Sequence, residues 1–119
     1  MTTPADHWVS ASDGVRLRTR HHDMADARAD LLVFPGRGDL AEKYDALAGR
    51  AADRGVGMHV VDWRGQGRSD RARVHHAALQ AAALDDYHRD VDAYIQLLDT
   101  ARTRLAVAYS MGGLILLHT

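Results

Sequence analysis

The sequence predicts an α/β fold with a parallel sheet, and three observations carry that prediction. Short continuous apolar runs recur along the chain: "LLVF" at 31–34, "VGMHVVDW" at 56–63 and "RLAVAYS" at 104–110. Segments with helical spacing separate them. Glycine-rich turns, "PGRGD", "RGQGRSD" and "YSMGG", follow the ends of the runs. Continuous apolar runs mark strands covered on both faces, and strands alternating with helices build parallel sheets through right-handed crossovers.

The elements follow in order. "HWVSASDGVRLRTRHH" reads as a hairpin with Asp13-Gly14 at its turn. Val15, Leu17 and Thr19 alternate with Arg16, Arg18 and Arg20, so the arginine face is expected to be solvated. "LLVF" is a buried strand ending at Pro35. A helix is expected next, with Asp39 as N-cap and Glu42 three residues on, close to a capping box. Its apolar face is Leu40, Tyr44, Leu47, Ala48 and Ala51, and Arg54-Gly55 closes it. "VGMHVVDW" is the second buried strand. "VHHAALQAAAL" is ambiguous between helix and loop. From Leu84 to Leu98 the spacing of Leu84, Tyr87, Val91, Tyr94 or Ile95, and Leu98 is helical. "RLAVAYS" is a third buried strand, and "MGGLILLHT" starts a buried helix.

Composition narrows the function classes. The 119 residues are 46% apolar and 26% charged, with a net charge of −1. No basic excess points to nucleic acid. Cysteine is absent, which removes disulfide and thiolate chemistry. No apolar run approaches the ~20 residues of a membrane span, and the N-terminus has no secretory pattern. A cytoplasmic location is the expectation. The near-neutral charge gives membrane-surface contact no support.

Two turns carry candidate chemistry. Gly36-Arg37-Gly38-Asp39-Leu40-Ala41 fits G-x-G-x-x-A between a strand and a helix, a form of the dinucleotide fingerprint, with Asp62 ending the next strand. "AVAYSMGGL" runs a strand into Ser110 and starts a helix directly behind it. A serine there is either a helix N-cap or a nucleophile held on a sharp strand-to-helix turn. The turn needs small residues two positions to either side. Ala108 and Gly112 stand there.

Taken with "DWRGQGRSDR" and "LDDYHRDVDAYI", these turns resemble the α/β-hydrolase superfamily, in its lysophospholipase L2 and monoacylglycerol-lipase-like branch of serine aminopeptidase S33 type. The resemblance runs from about Trp8 to Thr119. Ala108-Tyr109 replaces the usual Gly-His before the serine, and residues 74–84 are alanine-rich where relatives have a glycine-containing loop. The resemblance implies an N-terminal portion of an α/β-hydrolase fold, truncated after the nucleophile elbow. Residues 1–119 then form one partial domain that lacks the lid and C-terminal strands, which leaves the strand ending at Ser110 as a long apolar edge.

The same resemblance implies roles. Ser110 is the nucleophile toward a small-molecule lipid or other carboxylic ester, through an acyl-enzyme. The backbone N–H groups of Arg37 and Met111 form the oxyanion hole. The loop from Asp62 to Asp70 is structural. In this fold the triad acid and histidine follow the serine, yet only nine residues follow Ser110, none of them acidic. His118 is expected to point away from the serine as a packing residue. The chain is therefore expected to need a missing C-terminal half and to be inactive alone. Neither cofactor nor metal is expected: His21-His22 and His75-His76 are neighbours with no acid–histidine set at ligand spacing beside them. Two alternatives stay open, a non-catalytic hydrolase-like binding module and an NAD(P)-binding domain using Gly36, Gly38 and Ala41.

Overall fold

The computed structural model describes residues 3–71, 84–98 and 101–118. Among these residues five strands form one mixed sheet: β1 (Ala5–Ser10), β2 (Arg16–His22), β3 (Ala29–Phe34), β4 (Val56–Val61) and β5 (Thr103–Ala108). Their order is β1-β2-β4-β3-β5. β1 and β2 form the antiparallel hairpin, and β2 pairs antiparallel with β4. β3 pairs parallel with both β4 and β5. Among the described residues three α-helices cover the sheet: α1 (Asp45–Asp53), α2 (Leu84–Ile95) and α3 (Met111–Leu117).

Alternation along the strands sorts the core into two layers. Val33, Met58 and Val60 point to one face, against Ala48 and Ala51 of α1. Leu17, Leu32, Phe34, Val61 and Trp63 point to the other, against Val91 and Tyr94 of α2 and Ile115 of α3. Phe34 is central to the second layer, with Tyr94 edge-on at 5.5 Å and Trp63 at 6.2 Å between ring centres. Such aromatic pairs add to simple area burial.

Three local expectations change. The chain after Pro35 enters a 3-10 turn at Ala41–Tyr44 before α1, and neither start is capped by a side chain. Asp39 is instead drawn back onto the turn, where it accepts hydrogen bonds from the Gly36 N–H (3.1 Å) and the Tyr44 hydroxyl (2.8 Å). The apolar face of α1 also differs: Ala41, Ala48 and Ala51 are buried, while Leu40 and Leu47 are exposed. Lastly, β5 forms in register with β3 but every residue of it is exposed: it is the apolar edge expected of a sheet without further strands, not a strand covered on both faces. Leu105 and Val107 of β5, Tyr109, and Leu114 and Leu117 of α3 are exposed apolar side chains. The ambiguous stretch at 74–83, with His75 and His76, lies outside the described residues.

The arginine face of the hairpin is solvated only at Arg16. Arg18 is fully buried and forms ion pairs with Asp62 (2.7 Å), Glu42 (2.7 Å) and Asp6 (3.2 Å). Its hydrogen bonds hold the Glu42 carboxyl down to about 2, against the opposing effect of burial. Arg20 pairs with Asp45 and Asp6. The acids that absorb these arginines come from distant segments, so strand alternation alone could not place them.

His21 and His22 do point to opposite faces. His22 meets Asp45, and His21 turns inward to His59. Burial, reinforced by His59 and His7, lowers the His21 pKa from 6.5 to about 4. A histidine kept neutral in this way binds fewer protons folded than unfolded between those two values. Stability is therefore full above about pH 7, falls as pH drops below about 6.5, and levels off below about 4, a loss of at most about 3 kcal/mol. Urea unfolding at pH 4.5 and 7.5 should show this loss, and His21→Gln should reduce it. Equal pH dependence in the two proteins would refute the assignment.

Candidate active site

The C-terminal ends of the parallel strands carry the candidate site. Ser110 sits between β5 and α3 with φ 51 and ψ −114, the only non-glycine residue with positive φ among the described residues. That conformation costs of order 1–3 kcal/mol and persists only where the surroundings enforce it. They do so here. Tyr109 N–H donates to Phe34 C=O (3.0 Å), which fixes β5 against the end of β3. Gly112 N–H then returns to Tyr109 C=O (2.9 Å). A Cβ on Gly112 would stand 2.0 Å from the Phe34 carbonyl oxygen, so α3 reaches this position only with glycine there. On the other side Ala108 leaves room, its Cβ being 4.0 Å from a Cβ built on Gly113.

The loop after β3 lies against the same serine. A Cβ built on Gly36 would be 3.4 Å from Ser110 Cβ and 3.1 Å from the Tyr109 ring. Arg37 follows directly. Among the described residues, no acceptor takes the Arg37 N–H or the Met111 N–H. Four other N–H groups of the turn, those of Gly36, Gly38, Asp39 and Ala41, are engaged. Gly36 donates to Asp39, Gly38 to Gln66 Oε1, and Ala41 to Asp62 Oδ1 (2.9 Å). Side chains of the turn itself (Asp39) and of the loop after β4 (Gln66, Asp62) thus occupy donors that a dinucleotide phosphate would need free, and Asp62 is fully buried.

The residues that build this loop were largely hidden from sequence reasoning. Trp63 Nε1 donates to Pro35 C=O (2.8 Å) and is itself buried. Asp62 accepts from Arg18 Nε (2.8 Å) and Arg68 N–H (3.0 Å) as well as from Ala41. Ser69 Oγ donates to Asp62 C=O (2.6 Å) and accepts from Arg18 N–H (2.8 Å). The "DWRGQGRSD" loop therefore clamps the "PGRGD" loop at Pro35, Gly38 and Ala41. Gly67 is part of the clamp: its φ is +54, and a Cβ would lie 2.3 Å from Asp62 Oδ2. The one signal in the sequence was the order D-x-R-G-x-G-x-S itself.

Electrostatics at the mouth are set by Asp39. Its carboxyl is lowered overall: burial opposes ionisation, but Lys43, the Tyr44 hydroxyl and the Gly36 N–H outweigh it. Lys43 Nζ is 2.9 Å from Asp39 and 5.6 Å from the Tyr109 ring centre. Burial raises the Tyr44 phenol, so it stays a hydrogen-bond donor. His118 is exposed, and its Nδ1 contacts the Leu114 carbonyl (3.0 Å), one turn back along its own helix. It is not the packing residue expected.

A mixed sheet in this order, helices on both faces and a strained serine between strand and helix define the α/β-hydrolase class. Comparison with known proteins agrees. The profile of the family described as serine aminopeptidase, S33, matches residues 25–119, and the chain belongs to that family. Lysophospholipase L2 of Escherichia coli K12 is 34% identical over 104 residues, covering 85% of this chain and 29% of that protein. An α/β hydrolase from Novosphingobium aromaticivorans is 27% identical with a TM-score of 0.78, over 99% of this chain and 39% of that one. The esterase EaEST from Exiguobacterium antarcticum shares the fold at a TM-score of 0.76 and 21% identity, over 96% of this chain and 39% of its own. The chain spans less than a third of the length of the curated relative.

Proposed function

We infer that this chain supplies the nucleophile and oxyanion portion of a carboxylic ester hydrolase, lysophospholipase- or monoacylglycerol-lipase-like. The observation that carries the reading is the strained Ser110 at the β5–α3 junction, with the Gly36-Arg37 loop against its Cβ. Ser110 Oγ attacks the ester carbonyl, and the N–H groups of Arg37 and Met111 receive the developing oxyanion. Collapse of that intermediate expels the alcohol and leaves an acyl-serine, which water hydrolyses. The base that takes the serine proton and the acid that orients it come from chain beyond these residues, as the greater length of the relatives supports. A lipid ester as substrate rests on the similarity to lysophospholipase L2.

The test separates the parts of this reading. The 119-residue chain alone is expected to show no turnover of a p-nitrophenyl ester. The same residues grafted in place of the matching N-terminal segment of E. coli lysophospholipase L2 are expected to give turnover. Ser110→Ala in that graft should lower it by about 10³-fold or more. Turnover by the chain alone that Ser110→Ala abolishes would show that the base lies within it. Turnover in the graft that survives Ser110→Ala would remove the nucleophile assignment, and a correctly folded graft without turnover would favour a binding module.

A further inference from the structure

A second polar centre lies at the other end of the strands. A cavity of about 470 Å³ is lined by His7, His21, Asp23, Asp30, His59 and Arg102 together with Thr3, Ala5, Leu97 and Leu98. Asp30 is the second residue of β3, paired with Arg104 of β5, and Ser110 follows β5 at its far end, so at ~3.3 Å per residue the two sites are more than about 13 Å apart. Nothing in the ester chemistry above uses this cavity.

One ligand atom from each of Asp23, Asp30 and His59 lies within 4.8 Å of the others. Asp30 Oδ1 and His59 Nε2 are 3.0 Å apart, the spacing of two adjacent ligands on one ion, and both side chains are almost fully buried. We propose that Asp23, Asp30 and His59 form a binding site for a first-row divalent transition metal, zinc-like in its preference. One imidazole with two carboxylates suits such an ion better than magnesium or calcium, which take oxygen donors. The cavity leaves room for water in the remaining positions.

Two features support the site independently of the cluster. The first lies behind the ligand nitrogen. His59 Nδ1 is 2.7 Å from His21 Nδ1, His21 Nε2 is 2.7 Å from Thr19 Oγ1, and Thr19 Oγ1 is 3.4 Å from the His7 carbonyl. Without metal the chain runs one way: Thr19 O–H donates to His21 Nε2, His21 Nδ1–H to His59 Nδ1, and His59 Nε2–H to Asp30. With metal on His59 Nε2 it runs the other way: His59 Nδ1–H donates to His21 Nδ1, His21 Nε2–H to Thr19 Oγ1, and Thr19 O–H to the His7 carbonyl. Each imidazole carries one proton in both arrangements, so the ligand is neutral and no imidazole proton is lost. Metal-bound histidines characteristically have such a partner on the second nitrogen.

The second feature is the group now facing the carboxylates. Arg102 Nη1 is 3.2 Å from Asp23 and 3.4 Å from Asp30, longer than the ~2.7–2.9 Å of a strong charged hydrogen bond. Its Nη2 is anchored separately on the Met24 and Ala25 carbonyls, each at 3.0 Å. Arg102 is the counter-cation of both carboxylates, and a metal ion bound there takes over that role while Nη2 stays on its two carbonyls.

The test uses the whole chain, stripped with EDTA and titrated with ZnCl₂ against a chromophoric chelator. One zinc per chain is expected. Asp23→Asn should weaken it by about 10-fold or more, and His21→Phe by about 10- to 100-fold. Arg102→Ala should bind zinc more tightly, and MgCl₂ should not compete. Asp23 and Arg102 carry no core packing, so these two variants decide the matter even if His59→Ala fails to fold. The proposal is overturned by the lack of a saturable single site. It is equally overturned if Asp23→Asn and Arg102→Ala both bind zinc like the unaltered chain, which would place the metal on exposed histidines such as His118.

Discussion

Replacing Gly112 with alanine is expected to cost at least about 3 kcal/mol and to displace α3 from the end of β5. The added methyl would sit 2.0 Å from the Phe34 oxygen, 2.6 Å from its carbonyl carbon and 2.8 Å from the Pro35 oxygen. All three atoms are backbone of the central strand and of the loop that carries Arg37. No rotamer change relieves that contact, so the helix must move, and overpacking of this kind reaches the upper end of the usual range. Since a domain is stable by only about 5–15 kcal/mol, the change removes a large share of it. Gly113→Ala is the control. Its Cβ would meet nothing nearer than 3.9 Å, and alanine in a helix gains about 0.5–1 kcal/mol over glycine. Urea unfolding of the pair reads the difference directly. Similar midpoints for the two variants would show that the elbow is not packed as described.

Asp62→Ala is expected to cost about 3–5 kcal/mol, because it strips one partner from a buried ion pair. Arg18 is fully buried and would keep only Glu42 and Asp6, while the N–H groups of Ala41 and Arg68 would lose their acceptor. The loss reaches the candidate site, since Ala41 begins the 3-10 turn behind Arg37. Removing both partners together, as Arg18→Met with Asp62→Leu, is expected to cost less than the two single changes added, by about 0.5–3 kcal/mol. Denaturant midpoints of the four proteins complete the cycle. Additive single effects would mean that Arg18 and Asp62 do not act as a pair.

Patterns confined to one element could be read along the chain. Val91 and Tyr94 of α2 are buried as the spacing required, and so is Leu98, although the helix ends at Ile95 and Leu98 lies in the turn after it. The hairpin turn at Asp13-Gly14 is where the alternation broke. The motif around Ser110 also announced itself, because a strand running into a helix through serine and glycine leaves few backbone solutions. Asp39 shows where local reasoning stops. It has the chemistry of an N-cap, yet Tyr44, Lys43 and the Gly36 N–H compete for its carboxylate and win. Asp23, Asp30 and His59 are further apart still in the chain. The expectation of no metal rested on neighbouring histidines, and it could not register a set assembled by pairing β3 with β4.

By itself, the sequence determined the alternation of strands and helices, the hairpin, and the two glycine turns that flank Ser110. These follow from side-chain periodicity and from backbone conformations that few residues other than glycine adopt. Only the tertiary structure decided the rest: that Arg18 is buried, and that the "DWRGQGRSD" loop holds the "PGRGD" loop. It also decided that three histidines share one cavity. The reason is physical. A charge is buried or solvated according to which partner the fold brings within a few ångströms, and a strand is central or at an edge according to what pairs beside it. Neither is a property of the segment that carries it.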